Sequence, residues 1–167
     1  TVLSDGSLVS ASIDGSIKVW NASTWQCMKT LTCPIGTYYK LAVLSHDTII
    51  AASKDFSINL LNTSSGECVR KLVGHSHCVL AFAVLPDGTL VSASYDNIIK
   101  LWNASTGQCL RTLTGHTNGV WALALLSDGT LVSGSEDQTI KMWNTSSGDC
   151  LRTLTGHTNR IRALVVL

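Results

Sequence analysis

Two sets of residues contain the parts of a nucleophilic site. His75, Ser92 and Asp96 recur 41 residues later as His116, Ser133 and Asp137, and a hydroxyl, an imidazole to take its proton and a carboxylate to orient the ring together make a serine hydrolase. Gly74-His75-Ser76-His77-Cys78 gathers three side chains able to ligate a metal. Asn21-Ala22-Ser23, Asn62-Thr63-Ser64, Asn103-Ala104-Ser105 and Asn144-Thr145-Ser146 are formal N-glycosylation sequons. Each reading meets a physical objection. A catalytic Ser needs exposure beside an oxyanion hole, nothing resembles the strained Gly-x-Ser-x-Gly elbow, and a set repeated along the chain does not describe one active site. The His/Cys cluster lacks a second ligand pair at zinc-finger spacing, so no metal and no cofactor is expected. The sequons are explained by a recurring hairpin that favours Asn, Ser and Thr.

The elements that carry these residues follow one period. Asp14, Asp55, Asp96 and Asp137 are spaced by 41, as are Trp20, Leu61, Trp102 and Trp143, and Cys27, Cys68, Cys109 and Cys150. Residues 75–115 and 116–156 differ at only 15 of 41 positions, so these two units are near copies. Within a unit, short apolar runs are cut by turns. VWALALL is followed by Ser127-Asp128-Gly129, then TLVSGS, a turn around Asp137, TIKMWN, the turn 145–148, and CLRTL. Runs of five to seven residues rich in Val, Leu, Ile, Thr and Trp predict four short strands, and none reaches the ~10 residues that would favour a helix.

Gly74-His75, Gly115-His116 and Gly156-His157, each in phase with an inner LVSxS run, a turn Asp and a Trp-Asn pair, resemble the WD-repeat β-propeller family, with Asn for the usual Asp after Trp. The resemblance covers the whole chain. It implies an all-β propeller of four-stranded antiparallel blades, strands a to d, each sheet covered on both faces by its neighbours. It also implies that His, Ser, Asp and Trp form a buried hydrogen-bonded set in each blade rather than an active site. That structural network would comprise Ser10, Asp14 and Trp20; Asp55; His75, Ser92, Asp96 and Trp102; His116, Ser133, Asp137 and Trp143; and His157. The second unit departs: Cys33-Pro34, Ala51 and Leu61 replace Gly-His, Ser and Trp, leaving Asp55 alone and the blade without its pin.

The units run over approximately 1–33, 34–74, 75–115 and 116–156, with 157–167 beginning a further unit that completes the first. Residues 160–167 read as a strand a without its strand b, while Ser10, Asp14 and Trp20 have no upstream His. Closure would come from mating the two ends within one chain, from a homodimer, or from repeats outside this segment.

Composition narrows the partners. A formal net charge of +1 supplies no field for nucleic acid or an anionic membrane surface, and no apolar run approaches the ~18 residues of a membrane helix. The cysteines at the strand d position are too far apart to bridge and read as small buried hydrophobes, which points to a reducing, cytoplasmic setting.

If repeated positions build the scaffold, function lies where the repeats disagree. The residue before the turn Asp is Ile13, Lys54, Tyr95 or Glu136. Around the first residue of strand a stand Thr37/Tyr39, Cys78/Leu80, Gly119/Trp121 and Arg160/Arg162. In the family resembled, these positions line the top face, and Trp, Tyr and Arg are the side chains of binding hot spots. The expectation is a non-enzymatic scaffold that binds a protein or peptide there. The alternatives are an extracellular glycan-binding propeller and a serine hydrolase using a His/Ser/Asp set.

Overall fold

The computed structural model describes residues 1–32 and 38–167. Among the described residues fifteen strands run in chain order: β1 (Leu8–Ala11), β2 (Ser16–Trp20), β3 (Cys27–Thr32), β4 (Tyr38–Ser45), β5 (Thr48–Ser53), β6 (Ile58–Asn62), β7 (Cys68–Leu72), β8 (Val79–Val84), β9 (Leu90–Ser94), β10 (Ile99–Trp102), β11 (Cys109–Leu113), β12 (Val120–Leu125), β13 (Leu131–Ser135), β14 (Ile140–Trp143) and β15 (Cys150–Leu154). They form one three-stranded sheet, β1-β2-β3, and three four-stranded antiparallel sheets, β4 to β7, β8 to β11 and β12 to β15, each in simple meander order. The all-β strands expected from the short apolar runs and the blade-like sheets implied by the resemblance are present.

The local signals are the ones a meander requires. In every sheet the ladder between the last two strands slips by one residue at Trp20, Leu61, Trp102 or Trp143, and such bulges increase twist. The turn between strands b and c places Gly15, Phe56, Asn97 and Gln138 in the left-handed region. The strand c to d turn does the same with Trp25, Gly66, Gly107 and Gly148. Trp25, at φ 58°, is the one non-glycine in that second series.

Contacts divide the chain into two units, Thr1–Gly74 and His75–Leu167, each holding two sheets. In the first, Leu3, Val9, Ile17, Val19 and Leu31 pack with Ile49, Ala51 and Leu61 of the second sheet. In the second, Ala81, Val91, Ala93, Ile99 and Leu101 pack with Val120, Leu131 and Trp143. The core of each unit is therefore the space between sheet faces, which explains the weak alternation along the inner strands: all of β9 and β13 is buried.

Two expectations need correction. Cys27, Cys68, Cys109 and Cys150 are exposed, not buried, because β3, β7, β11 and β15 are outermost strands with a single neighbour. Their thiols face backbone carbonyls two residues on, such as Arg70 O at 3.4 Å from Cys68 Sγ and Arg111 O at 3.4 Å from Cys109 Sγ. The segment after Arg160 forms no strand. A strand is held by a neighbour's ladder, and here the Ile161 N–H reaches only the Ser135 carbonyl, at 3.0 Å.

Candidate functional site

The Ser, His and Asp of the triad-like sets meet, but inside the sheets. In the fourth sheet His116 Nδ1 lies 2.7 Å from Asp137 Oδ2 and Nε2 lies 2.7 Å from Ser133 Oγ. The Trp143 indole N–H donates to the same Oγ at 2.7 Å. One proton arrangement satisfies all three contacts. The carboxylate accepts from Nδ1–H, Nε2 accepts the Ser133 hydroxyl proton, and Ser133 Oγ accepts from the indole. His116 is therefore neutral, and burial holds its pKa below the ordinary 6.5 against the pull of Asp137. Asp137 also accepts the Thr117 and Thr139 N–H groups and the Thr139 hydroxyl, which, with His116, hold its carboxyl down to about 2 although burial alone would raise it. The third sheet repeats the set at 2.8 Å throughout: His75 to Asp96, His75 to Ser92, Trp102 to Ser92. Ser92 and Ser133 are fully buried.

The first and second sheets hold partial versions. Trp20 donates to Ser10 at 2.9 Å, while Asp14 is exposed and caps Ser16 N–H at 2.8 Å. His157 is exposed. In the second sheet Ala51 and Leu61 fill the Ser and Trp places and are fully buried. Asp55 is not alone, however: Lys71 Nζ sits 2.8 Å from its Oδ2. The origin is a cross-strand exchange. Elsewhere a Lys on strand c donates to a Thr on strand d, as in Lys18–Thr30, Lys100–Thr112 and Lys141–Thr153. The second sheet has Asn59 opposite Lys71 instead, which puts the ammonium within reach of Asp55. Burial raises the Asp55 pKa, and Lys71 and Ser57 outweigh it, to leave it at about 2. Asn59 is fully buried, and its Nδ2 has no hydrogen-bond partner among the described residues. The Cys33-Pro34 replacement lies outside the described residues.

The three ligand-like side chains at 75–78 do not form a metal-holding group. His75 is committed to Asp96 and Ser92, the Cys78 N–H donates to His77 Nδ1 at 2.8 Å, and the His77 ring stacks at 4.8 Å on Tyr95. Among the described residues no three metal-ligating side chains converge. The Asn of each sequon uses Oδ1 to cap its own hairpin, as Asn62 does for Ser64 and Ser65 N–H at 2.9 and 2.7 Å.

The variable positions behave differently. In the second unit Tyr95 meets Trp121 edge to face at 6.2 Å. The Arg162 and Arg160 guanidinium carbons lie 5.2 and 6.0 Å from the Trp121 ring centre, a cation–π arrangement. Glu136 pairs with Arg160 at 3.4 Å and accepts the Trp121 indole N–H at 3.4 Å. Gly119 makes the approach possible, since a Cβ there would stand 2.9 Å from the Tyr95 ring. Backbone bonds lock the turns to strand a, Tyr95 N–H to Cys78 O at 2.9 Å and Glu136 N–H to Gly119 O at 2.8 Å. His77, read from sequence only as a ligand, extends this row. Its repeat position matched no variable pair, so only the ring contact reveals it. Cys78 and Leu80 lie beside it and are half-buried.

In the first unit Ile13 and Lys54 are exposed on the corresponding turns and Tyr39 lies on β4, while Thr37 falls outside the described residues. Two hollows of about 210 Å³ each open at the opposite sheet ends, around Asp128 and Asn144 and around Asp87 and Arg111. They are away from the aromatic row.

The model of the WD domain, G-beta repeat, matches residues 1–21, 66–103 and 107–144, and omits most of the divergent second repeat. No curated protein matches the chain. Among solved structures, the crystal structure of the WD40 beta propeller domain of Doa1 is similar, with 30% identity and a TM-score of 0.83 over 96% of this chain. The chain spans 54% of that one. With more than half of its residues matched in three phased repeats, and with sheets that superpose on a propeller domain, the chain belongs to the WD40 (G-beta repeat) family.

Proposed function

We propose that the chain is a non-enzymatic scaffold that binds a protein or peptide through the top-face row Tyr95, Trp121, Arg160, Arg162 and Glu136. WD40 propellers serve generally as protein-interaction scaffolds. The observation that carries the finer reading is the contrast between two kinds of position. The repeated His, Ser and Trp of the third and fourth sheets are buried and spend their hydrogen bonds on one another. The variable residues of the second unit gather into an accessible aromatic and cationic cluster. Ser92 and Ser133 support no hydrolase role, because each hydroxyl is buried between an imidazole and an indole. Four exposed thiols fit a reducing, cytoplasmic setting better than an oxidising one.

The test is a peptide-display selection against the native chain, with binders re-measured on a triple variant, Tyr95→Ser, Trp121→Ala and Arg162→Gln. Selected binders should lose affinity at least about 100-fold, as expected for hot-spot removal, while the thermal midpoint stays close to the parent's. Binding unchanged in the triple variant would move the docking surface elsewhere.

A further inference from the structure

Asn118 and Gly119 join the row of aromatics to the fourth sheet through their carbonyls, which accept the Ser135 hydroxyl at 2.8 and 3.0 Å, while the Asn118 side-chain amide is not used by the scaffold. Asn118 is exposed, and its Oδ1 accepts the Gly119 N–H at 2.9 Å. That bond folds the side chain back along the backbone and brings Cγ beside the nitrogen of the next peptide group. No described residue holds Asn118 Nδ2 by a hydrogen bond. Gly119 has no side chain to obstruct ring formation.

From this geometry we infer that Asn118 is a site of spontaneous modification, passing through a cyclic imide to aspartate and isoaspartate. The Gly119 nitrogen, giving its proton to solvent base, attacks Asn118 Cγ. The Cγ–Nδ2 bond breaks and Nδ2 leaves as ammonia after taking a proton from solvent. Water then opens the five-membered imide at either carbonyl, restoring an α-linked Asp or shifting the backbone through the side-chain carboxyl. The sum is asparagine plus water giving acid plus ammonia, with no oxidant or cofactor.

The chain carries its own control. One repeat later, Asn159 Oδ1 accepts the Arg160 N–H at 2.8 Å, the same local geometry. There the following residue is an Arg whose side chain is engaged with Glu136 and Trp121. The two sites share this side-chain bond and differ in the following residue and in the backbone beyond it, β12 after Gly119 and no strand after Arg160.

The product alters the row. An isoaspartyl link inserts an extra backbone carbon just before Gly119, whose carbonyl accepts both Glu136 N–H at 2.8 Å and Ser135 Oγ at 3.0 Å and which abuts Tyr95. It also adds a carboxylate three residues before Trp121. The modification is independent of what binds on this face, because it is read without any partner.

The experiment is incubation of the folded 167-residue chain at mildly alkaline pH, followed by peptide mass mapping and labelling with an isoaspartyl methyltransferase. The peptide containing residue 118 should gain the mass of an amide converted to an acid at least about tenfold faster than the peptide containing residue 159, since glycine offers no side chain against ring closure. Methyl labelling of the peptide containing residue 118 should vanish in Asn118→Gln. Equal conversion at the two sites, no conversion at 118 in the native chain, or labelling of that same peptide that persists in Asn118→Gln would overturn the inference.

Discussion

Ile161 Cγ2 stands 2.6 Å from where a Cβ on Gly134 would be, so the glycine of β13 is a socket for the isoleucine. One repeat earlier the corresponding residues are Ala93 and Val120, buried in the same core. The pair has exchanged a methyl group across the sheet interface and conserved its volume, which is how a close-packed interior tolerates change.

Gly134→Ala should therefore destabilise the fold by about 1–3 kcal/mol through overpacking. Adding Ile161→Val, which recreates the Ala93 and Val120 pair, should recover most of that loss. Denaturant unfolding of both single variants and the double variant gives the coupling. Strictly additive effects would show that Ile161 does not occupy the socket.

Ser133 mediates between His116 and Trp143, so its removal strands two buried groups. Ser133→Ala should cost about 1–3 kcal/mol for each group left unpaired. Trp143→Phe removes one donor, and the double variant should cost less than the two singles together because they break one shared network. The native Ala51 and Leu61 of the second sheet show the end point of such a replacement, where both partners have become apolar and are fully buried.

Acid should weaken the protein in two stages. Burial sets the His116 pKa below its ordinary 6.5, so the unfolded chain binds that proton first. The associated stability is complete above 6.5 and declines as the pH falls below it. Asp137 and Asp55 are held at about 2 against an ordinary 3.8, so their contribution is complete above 3.8 and is lost as the pH falls through that value toward about 2. Urea unfolding across pH tests both stages, and a flat profile down to the carboxylate range would contradict the neutral imidazole. Lys71→Thr should raise the Asp55 titration midpoint, followed by NMR. Because Lys71 and Asp55 are 36% and 37% exposed, the same change should alter overall stability by no more than about 1 kcal/mol.

Trp25 occupies a turn position that the other repeats give to Gly66, Gly107 and Gly148, and it does so at φ 58° with its indole 71% exposed. A left-handed conformation costs a side-chain-bearing residue about 1–2 kcal/mol, and this ring has little burial to offset it. Trp25→Gly should raise stability by roughly 1 kcal/mol once the greater freedom of the unfolded glycine is subtracted. A loss of stability on this change would mean that the indole makes a contact worth more than the strain.

The period of 41, the four runs per unit and the phased Gly-His, Asp and Trp residues were readable from the chain, because a repeated sheet imposes repeated turns and repeated hydrogen-bond partners on its sequence. So were the variable positions, as departures from that regularity. Other features depended on which atoms come close in space. Sequence placed the Cys series in the core because thiols are small and apolar, whereas strand order put them on outer edges. The sequence of the second repeat showed a carboxylate without its imidazole. Only the pairing of Asn59 with Lys71 across the ladder revealed the ammonium that answers it. The row from His77 through Tyr95 and Trp121 to Arg162 joins side chains from separate sheets and turns. Local propensity is written residue by residue and survives in sequence, but a packed contact between distant residues exists only when strand order and register bring them together.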